Sequence, residues 1–154
     1  MSDDVKALIR AADEDDWTLA EGSIDDRPSM VRFRPALAQA MGHAALPKRL
    51  VVVWDYGDDG ETGMPDAEIA EDLELFENAL NEALDPERTA VLAFVFTHLG
   101  TREWHYYFAD LEEVSGKINE ALAEQPDLPI QMRAFDDPEW KELAAVLSSV
   151  LDET

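Results

Sequence analysis

TAVLAFVFTHLGTREWHYYFAD, Thr89 to Asp110, decides the fold. It reads as two β-strands folded back on each other at HLGT, with Gly100 marking a hairpin turn. From Thr89 to Thr97 the run is apolar almost throughout, which suits a strand covered on both faces. From Arg102 to Phe108 it alternates. Trp104, Tyr106 and Phe108 point one way, and Glu103, His105 and Tyr107 the other, because successive strand side chains project to opposite faces.

Outward from this hairpin, LVVVW (Leu50 to Trp54) is a second apolar run of the kind found in an interior strand. A loop rich in glycine and acid follows. Then Ile69, Leu73, Phe76, Leu80 and Leu84 repeat at helical spacing among Asp and Glu. Past the hairpin, Leu111, Val114, Ile118, Ala121 and Leu122 mark another amphipathic helix, with Asp110 as its N-cap. Ile130 to Ala134 reads as a last strand. DDPEW predicts a C-terminal helix with Asp137 as N-cap and Pro138 at its first position, carrying Trp140, Leu143, Leu147, Val150 and Leu151 on one face.

From Leu50 to Phe135 the order is therefore strand, helix, strand, strand, helix, strand. This predicts an α+β fold, a ferredoxin-like split βαβ sandwich with two helices on one face of an antiparallel sheet. In that arrangement the strand from Thr89 lies toward an edge. An edge as apolar as VLAFVF invites aggregation, so it needs a neighbour. Trp17 to Glu21 and Ser29 to Arg34 read as an N-terminal hairpin able to supply one, and Val5 to Ala12 and Ala36 to Met41 as short helical pieces. One domain is expected over residues 1–154: an N-terminal helix and hairpin extension (1–48), the core (49–136) and the C-terminal helix (137–154).

The chain carries 35 Asp and Glu against 12 Lys and Arg, a formal charge of -23. That charge repels phosphate backbones and anionic lipid, so neither nucleic acid nor membrane is an expected partner; a basic protein is. With no cysteine there is neither a disulfide nor a thiolate nucleophile. The first residues lack the basic start and apolar run of a secretory signal, and no stretch is long and apolar enough to span a bilayer. The expected compartment is the cytoplasm.

Several of these segments together resemble a known family: Trp17, the MVRFRP strand, LVVVWDY leading to Gly63, Met64 and Pro65, the acidic helix around Glu74 to Leu80, the hairpin residues Thr97, Gly100, Arg102, Glu103, Trp104, Tyr106 and Tyr107, and the closing DDPEW. The chain resembles the bacterial family called domain of unknown function 695 over most of its length. That family is also similar to a small acidic ferredoxin-like domain of the ribonuclease E regulator type, which implies regulation by protein contact. The resemblance brings no catalytic residue with it.

Three groups of residues are candidate sites. Arg32 and Arg34, flanking Phe33 on one strand face, offer two guanidinium groups able to grip a carboxylate or phosphate, and Arg102 joins them if the hairpins stack. Glu103, His105 and Tyr107 form a row that could set a general base beside a phenol. Asp55, Asp59, Gly60 and Asp66 fall at positions one, five, six and twelve of a calcium loop, but Gly57 stands at position three where an oxygen ligand is needed. Against each stands a plainer role: counter-charge for surrounding acids, a hydrogen-bonded sheet surface, and a solvated loop. The serines lie in no nucleophile-elbow context, and His43, His98 and His105 are not at metal-ligand spacing.

The sequence is thus expected to specify a non-catalytic protein-binding or regulatory module without a cofactor, with a homodimer through a sheet edge or face as one form of contact. A small enzyme or ligand binder using the sheet face around His105, Tyr107, Arg32 and Arg34 is the alternative, and a toxin-neutralising immunity protein a third.

Overall fold

A computed structural model of the chain describes residues 18–24, 27–33, 46–56, 67–84, 90–98, 100–123 and 130–152. The elements are β1 (Thr18–Ile24), β2 (Arg27–Phe33), β3 (Lys48–Asp55), α1 (Ala67–Leu84), β4 (Ala90–His98), β5 (Thr101–Phe108), α2 (Leu111–Ala121), β6 (Ile130–Asp136) and α3 (Lys141–Asp152). The six strands make one antiparallel sheet in the order β1-β2-β4-β5-β3-β6. The expected helical pieces at Val5 to Ala12 and Ala36 to Met41 lie outside the described residues.

β4 and β5 are the two arms of the hairpin, with Gly100 at φ 85 in its turn, a left-handed conformation that glycine adopts without a Cβ clash. β3 pairs with both β5 and β6, as an interior strand should. The N-terminal hairpin extends the sheet. β2 docks on the far side of β4, with Phe33 opposite Phe94 and Val31 opposite Phe96, so the most apolar strand is flanked on both sides. β1 and β2 are longer than the alternation suggests, pairing as far as Ile24 with Arg27 and leaving only residues 25–26 between them. Pro28 is inside β2, in the part that pairs with β1 but has not yet reached β4, so its missing N–H removes no bond to β4.

Two cores follow from the pleat. On one face α1 and α2 cover Leu50, Val52, Leu92, Val95, Trp104, Tyr106 and Phe108, using Leu73, Phe76, Leu80, Leu84, Val114 and Ile118. Each such side chain contributes about 1.5–3 kcal/mol by leaving water. The polar tips of the aromatics are met by α1 itself: the Trp104 indole donates to Glu77 at 2.9 Å and the Tyr106 hydroxyl to Asn81 at 2.9 Å. On the other face Phe33, Leu46, Val91, Ala93, Phe94 and Tyr107 pack with Trp140 and Leu143 at the start of α3. A bulge between Leu92 and Phe94 lets β4 serve both cores, because it reverses the parity of the strand halfway along.

The start of α3 departs from the expected cap. The helix begins at Lys141, with Pro138 and Glu139 in a turn before it. Trp140 has φ 55, and its N–H bonds the Asp137 carbonyl at 3.0 Å. Asp137 still caps: its carboxylate accepts from the backbone N–H of Lys141 at 2.8 Å and of Glu142 at 3.3 Å. The unusual conformation turns the Trp140 indole into the sheet, where its N–H reaches the Leu46 carbonyl at 2.8 Å.

Candidate functional site

A chain of polar contacts crosses the α3 side of the sheet. It starts at the Asp137 cap, which accepts the Tyr107 hydroxyl at 2.9 Å and lies 3.4 Å from Arg49 Nε. The register sets Arg49 opposite Tyr107 on one side and Phe135 on the other, and its guanidinium rests over the Phe135 ring at 4.7 Å. Arg49 Nη1 then donates to His105 Nδ1 at 3.0 Å. Since arginine can only donate, Nδ1 must accept and the proton of the neutral ring sits on Nε2. That Nε2 donates to Glu103 Oε1 at 3.0 Å, while the other Glu103 oxygen is 3.0 Å from His98 Nε2.

These contacts set the charges. Burial pushes the His105 imidazolium down first, Arg49 adds to that, and Glu103 opposes it without prevailing, so the ring is held neutral. Burial works against the Glu103 carboxylate, but hydrogen bonds from His105 and then His98 outweigh it and lower the group. Asp137 is lowered likewise, the Lys141 N–H, the Tyr107 hydroxyl and the Glu142 N–H together overcoming its burial. The Tyr107 phenol is raised, by burial and then by its bond to Asp137. It is a neutral structural donor across the ordinary pH range. A base needs a free lone pair and an acid a reachable proton. Here both ring nitrogens of His105, both oxygens of Glu103 and the hydroxyl of Tyr107 are taken up by neighbours.

The candidate residues are divided between the two faces. Glu103, His105 and Tyr107 share the α3 side, but Arg32 and Arg102 lie on the α1 side, because Arg32 stands opposite Val95 and Thr97 opposite Arg102. The sheet face expected to gather His105, Tyr107 and Arg32 does not bring Arg32 to the other two. Arg34 lies outside the described residues. Arg32 is ion-paired to Glu77, the same carboxylate oxygen that accepts the Trp104 indole. Arg102 Nε donates to Thr97 Oγ1 at 2.8 Å. Asp55 ends β3 exposed; Asp59 and Asp66 lie outside the described residues, among which no group of three acidic, histidine or cysteine side chains could hold a metal ion.

Two participants were missed from the sequence. Arg49 and His98 link Asp137 and Glu103 into one network, yet neither belongs to a recognisable motif. Arg49 is placed by strand register, which a lone sequence does not fix. His98 is nearer to being legible, since the hairpin turn alone brings it back toward Glu103.

The outward face of α1 is different in kind. Glu68, Glu71, Asp72 and Glu82 are exposed, and so is Leu75, with 62% of its surface in water. At 3.6 residues per turn these four carboxylates fall within about 60° of Leu75 around the helix axis. A large apolar side chain thus stands at the centre line of an acidic stripe, with no basic residue on the helix. Elsewhere, β6 is an edge strand that leaves Met132 and Phe135 exposed at 41% and 43%. No helix among the described residues is long and apolar enough to cross a membrane.

A family model described as a family of unknown function (DUF695) matches residues 15–147. That span contains every contact of both polar clusters. No curated protein matches the chain.

Proposed function

The chain belongs to the DUF695 family of unknown function, and we propose that it is a non-catalytic protein-binding module of regulatory type that docks a basic partner on the outer face of α1. The observation that carries this reading is Leu75, exposed at 62% between Glu68, Glu71, Asp72 and Glu82. A leucine there adds nothing to the core, which α1 reaches through Leu73, Phe76, Leu80 and Leu84 on its other side. An apolar anchor ringed by carboxylates suits a cationic amphipathic helix, whose own apolar side chain would cover Leu75 while its lysines or arginines meet the rim. Charge of one sign makes such association fast and salt-sensitive.

The α3 side supports the same reading from the opposite direction, since His105, Glu103 and Tyr107, the row expected to do acid-base chemistry, have their ring nitrogens, carboxylate oxygens and hydroxyl engaged by neighbours. The inner strand order β4-β5-β3-β6, with α1 and α2 on one face, supports a ferredoxin-like core inside the wider sheet. We take the cytoplasm as its compartment, and the exposed β6 edge as the place for a second copy where one pairs. Binding of a fluorescent lysine and leucine helical peptide, compared between wild type and Leu75→Asp at low and high salt, tests the docking. Weaker binding by the variant supports it; equal binding removes it.

A further inference from the structure

We propose that two copies of this chain join through β6 in one register, antiparallel about a two-fold axis at Ala134, so that Arg133 of each lies over Phe135 of the partner subunit. This rests on the reading of the β6 edge as the place for a second copy and gives that contact its register. It does not depend on the docking face of α1.

Among the described residues β6 ends the sheet and pairs with β3 alone, and every residue from Gln131 to Asp136 is exposed. A strand so placed offers its outer row of N–H and C=O groups to another strand. Charge favours this edge over the other. At -23 per chain, two copies repel over most of their surface, but β3 and β6 carry Lys48, Arg49 and Arg133 against Asp55 and Asp136. The opposite edge, β1, carries Glu21 and no cation. Of the two edge strands, β6 is therefore the one that brings no net negative charge to a second copy.

A two-fold axis normal to the sheet sets residues of the same face opposite each other, so the registers near the strand's centre are those with Met132, Arg133 or Ala134 on the axis. Centred on Arg133, the pairing sets two guanidinium groups against each other, which is unfavourable. Centred on Met132, it runs Phe135 past the start of the partner strand at Ile130. Centred on Ala134, it puts a small side chain on the axis, with Met132 opposite Asp136 of the partner subunit and Arg133 opposite Phe135 of the partner subunit. Phe135 is prepared for this. Tyr107, Arg49 and Phe135 stand in a row across β5, β3 and β6, and Arg49 rests over the Phe135 ring at 4.7 Å. Yet Phe135 is still 43% exposed. Arg133 of the partner subunit continues the row by one place, adding a guanidinium on the open side of Phe135. The ladder closes at Asp136, because the Asp137 N–H already bonds the Pro47 carbonyl at 2.9 Å.

Since the chain has no cysteine, single cysteines report the register directly. Residues directly opposite across an antiparallel pair have Cα atoms about 4.5–5.5 Å apart, within reach of a disulfide. Under oxidised glutathione, Ala134→Cys alone reports the proposed register, Met132→Cys alone the one centred on Met132, and the mixed pair of the two variants the one centred on Arg133. Ala134→Cys alone should cross-link fastest. Sedimentation equilibrium of the wild type should show a dimer that tightens with added salt, which screens the repulsion between two anionic chains; docking on α1 responds in the opposite direction. Arg133→Gln should raise the dissociation constant about tenfold. Lys141→Gln, which removes an exposed cation on α3, should leave it unchanged. A wild type that stays monomeric at millimolar concentration in high salt overturns the second-copy contact and the register with it. A dimer that cross-links faster through Met132→Cys or the mixed pair, or that is as tight in Arg133→Gln, overturns the register and leaves the second-copy reading standing.

Discussion

The indole of Trp140 lies flat on the ring of Tyr107, centroids 4.1 Å apart and planes 7° from parallel. This stack fastens α3 to the sheet, and it is reached only because Trp140 adopts φ 55, a conformation that costs a bulky residue about 1–3 kcal/mol. Trp140→Ala should therefore lose about 3–5 kcal/mol in urea unfolding, the range for emptying a buried aromatic site. Trp140→Gly, which empties the site further but accepts the left-handed backbone, should be no worse than alanine, reversing the usual order of the two residues. Trp140→Phe keeps a ring on Tyr107 and orphans the Leu46 carbonyl, for a loss of about 1–3 kcal/mol.

Tyr107 joins that stack to the helix cap. Its hydroxyl donates to Asp137 and accepts from the Leu143 N–H at 3.3 Å. Tyr107→Phe should destabilise by about 1–3 kcal/mol, the cost of leaving buried polar partners unmet. Asp137→Ala should cost more, because it strips the N–H groups of Lys141 and Glu142 and leaves Arg49 without its carboxylate. Chemical denaturation of the two variants checks the order, and an equal loss would show that Asp137 does not act as a cap.

Acid should weaken the fold in two stages. His105 is lowered in the folded state, so between its folded value and the ordinary 6.5 the unfolded chain binds more protons, and stability falls as pH drops below about 6.5. Glu103 and Asp137, also lowered, take over below about 4.5 with the same sign. Tyr107 is raised, so its contribution is lost above about pH 10. His105→Gln should flatten the first stage, below about pH 6.5, and weaken the Glu103 part of the second, because His105 is the first of the donors that hold Glu103 down, while the Asp137 part stays. Arg49→Met should move the His105 titration upward when followed by NMR of its imidazole, since it removes the donor that opposes a proton on Nδ1.

Much of this fold can be read from hydrophobic period alone. The alternation of β5 separates Trp104, Tyr106 and Phe108 from the Glu103 row, and the spacing in α1 picks out the four leucine and phenylalanine side chains that are buried. The bulge in β4 is invisible, because a run as uniformly apolar as AVLAFVF carries no alternation for it to interrupt. The Asp137 to Trp140 turn is hidden for another reason: tertiary burial of an indole outweighs the local preference for a helix starting at proline. The candidate site was half legible. Side-chain parity along β5 is local, whereas bringing Arg49 to His105, and taking Arg32 away from it, depends on which strands pair and in what register.

The docking claim meets its most direct test in the footprint of a cationic amphipathic peptide on the isotopically labelled chain, followed by amide NMR. At low salt a protein of this charge attracts such a peptide anywhere on its surface, so position matters more than affinity. The account predicts shifts concentrated on Glu68, Glu71, Asp72, Leu75 and Glu82, lost at high salt and in Leu75→Asp. Shifts spread evenly over the acidic residues of α1 and α2, or gathered on the β6 edge around Met132 and Phe135, would contradict it.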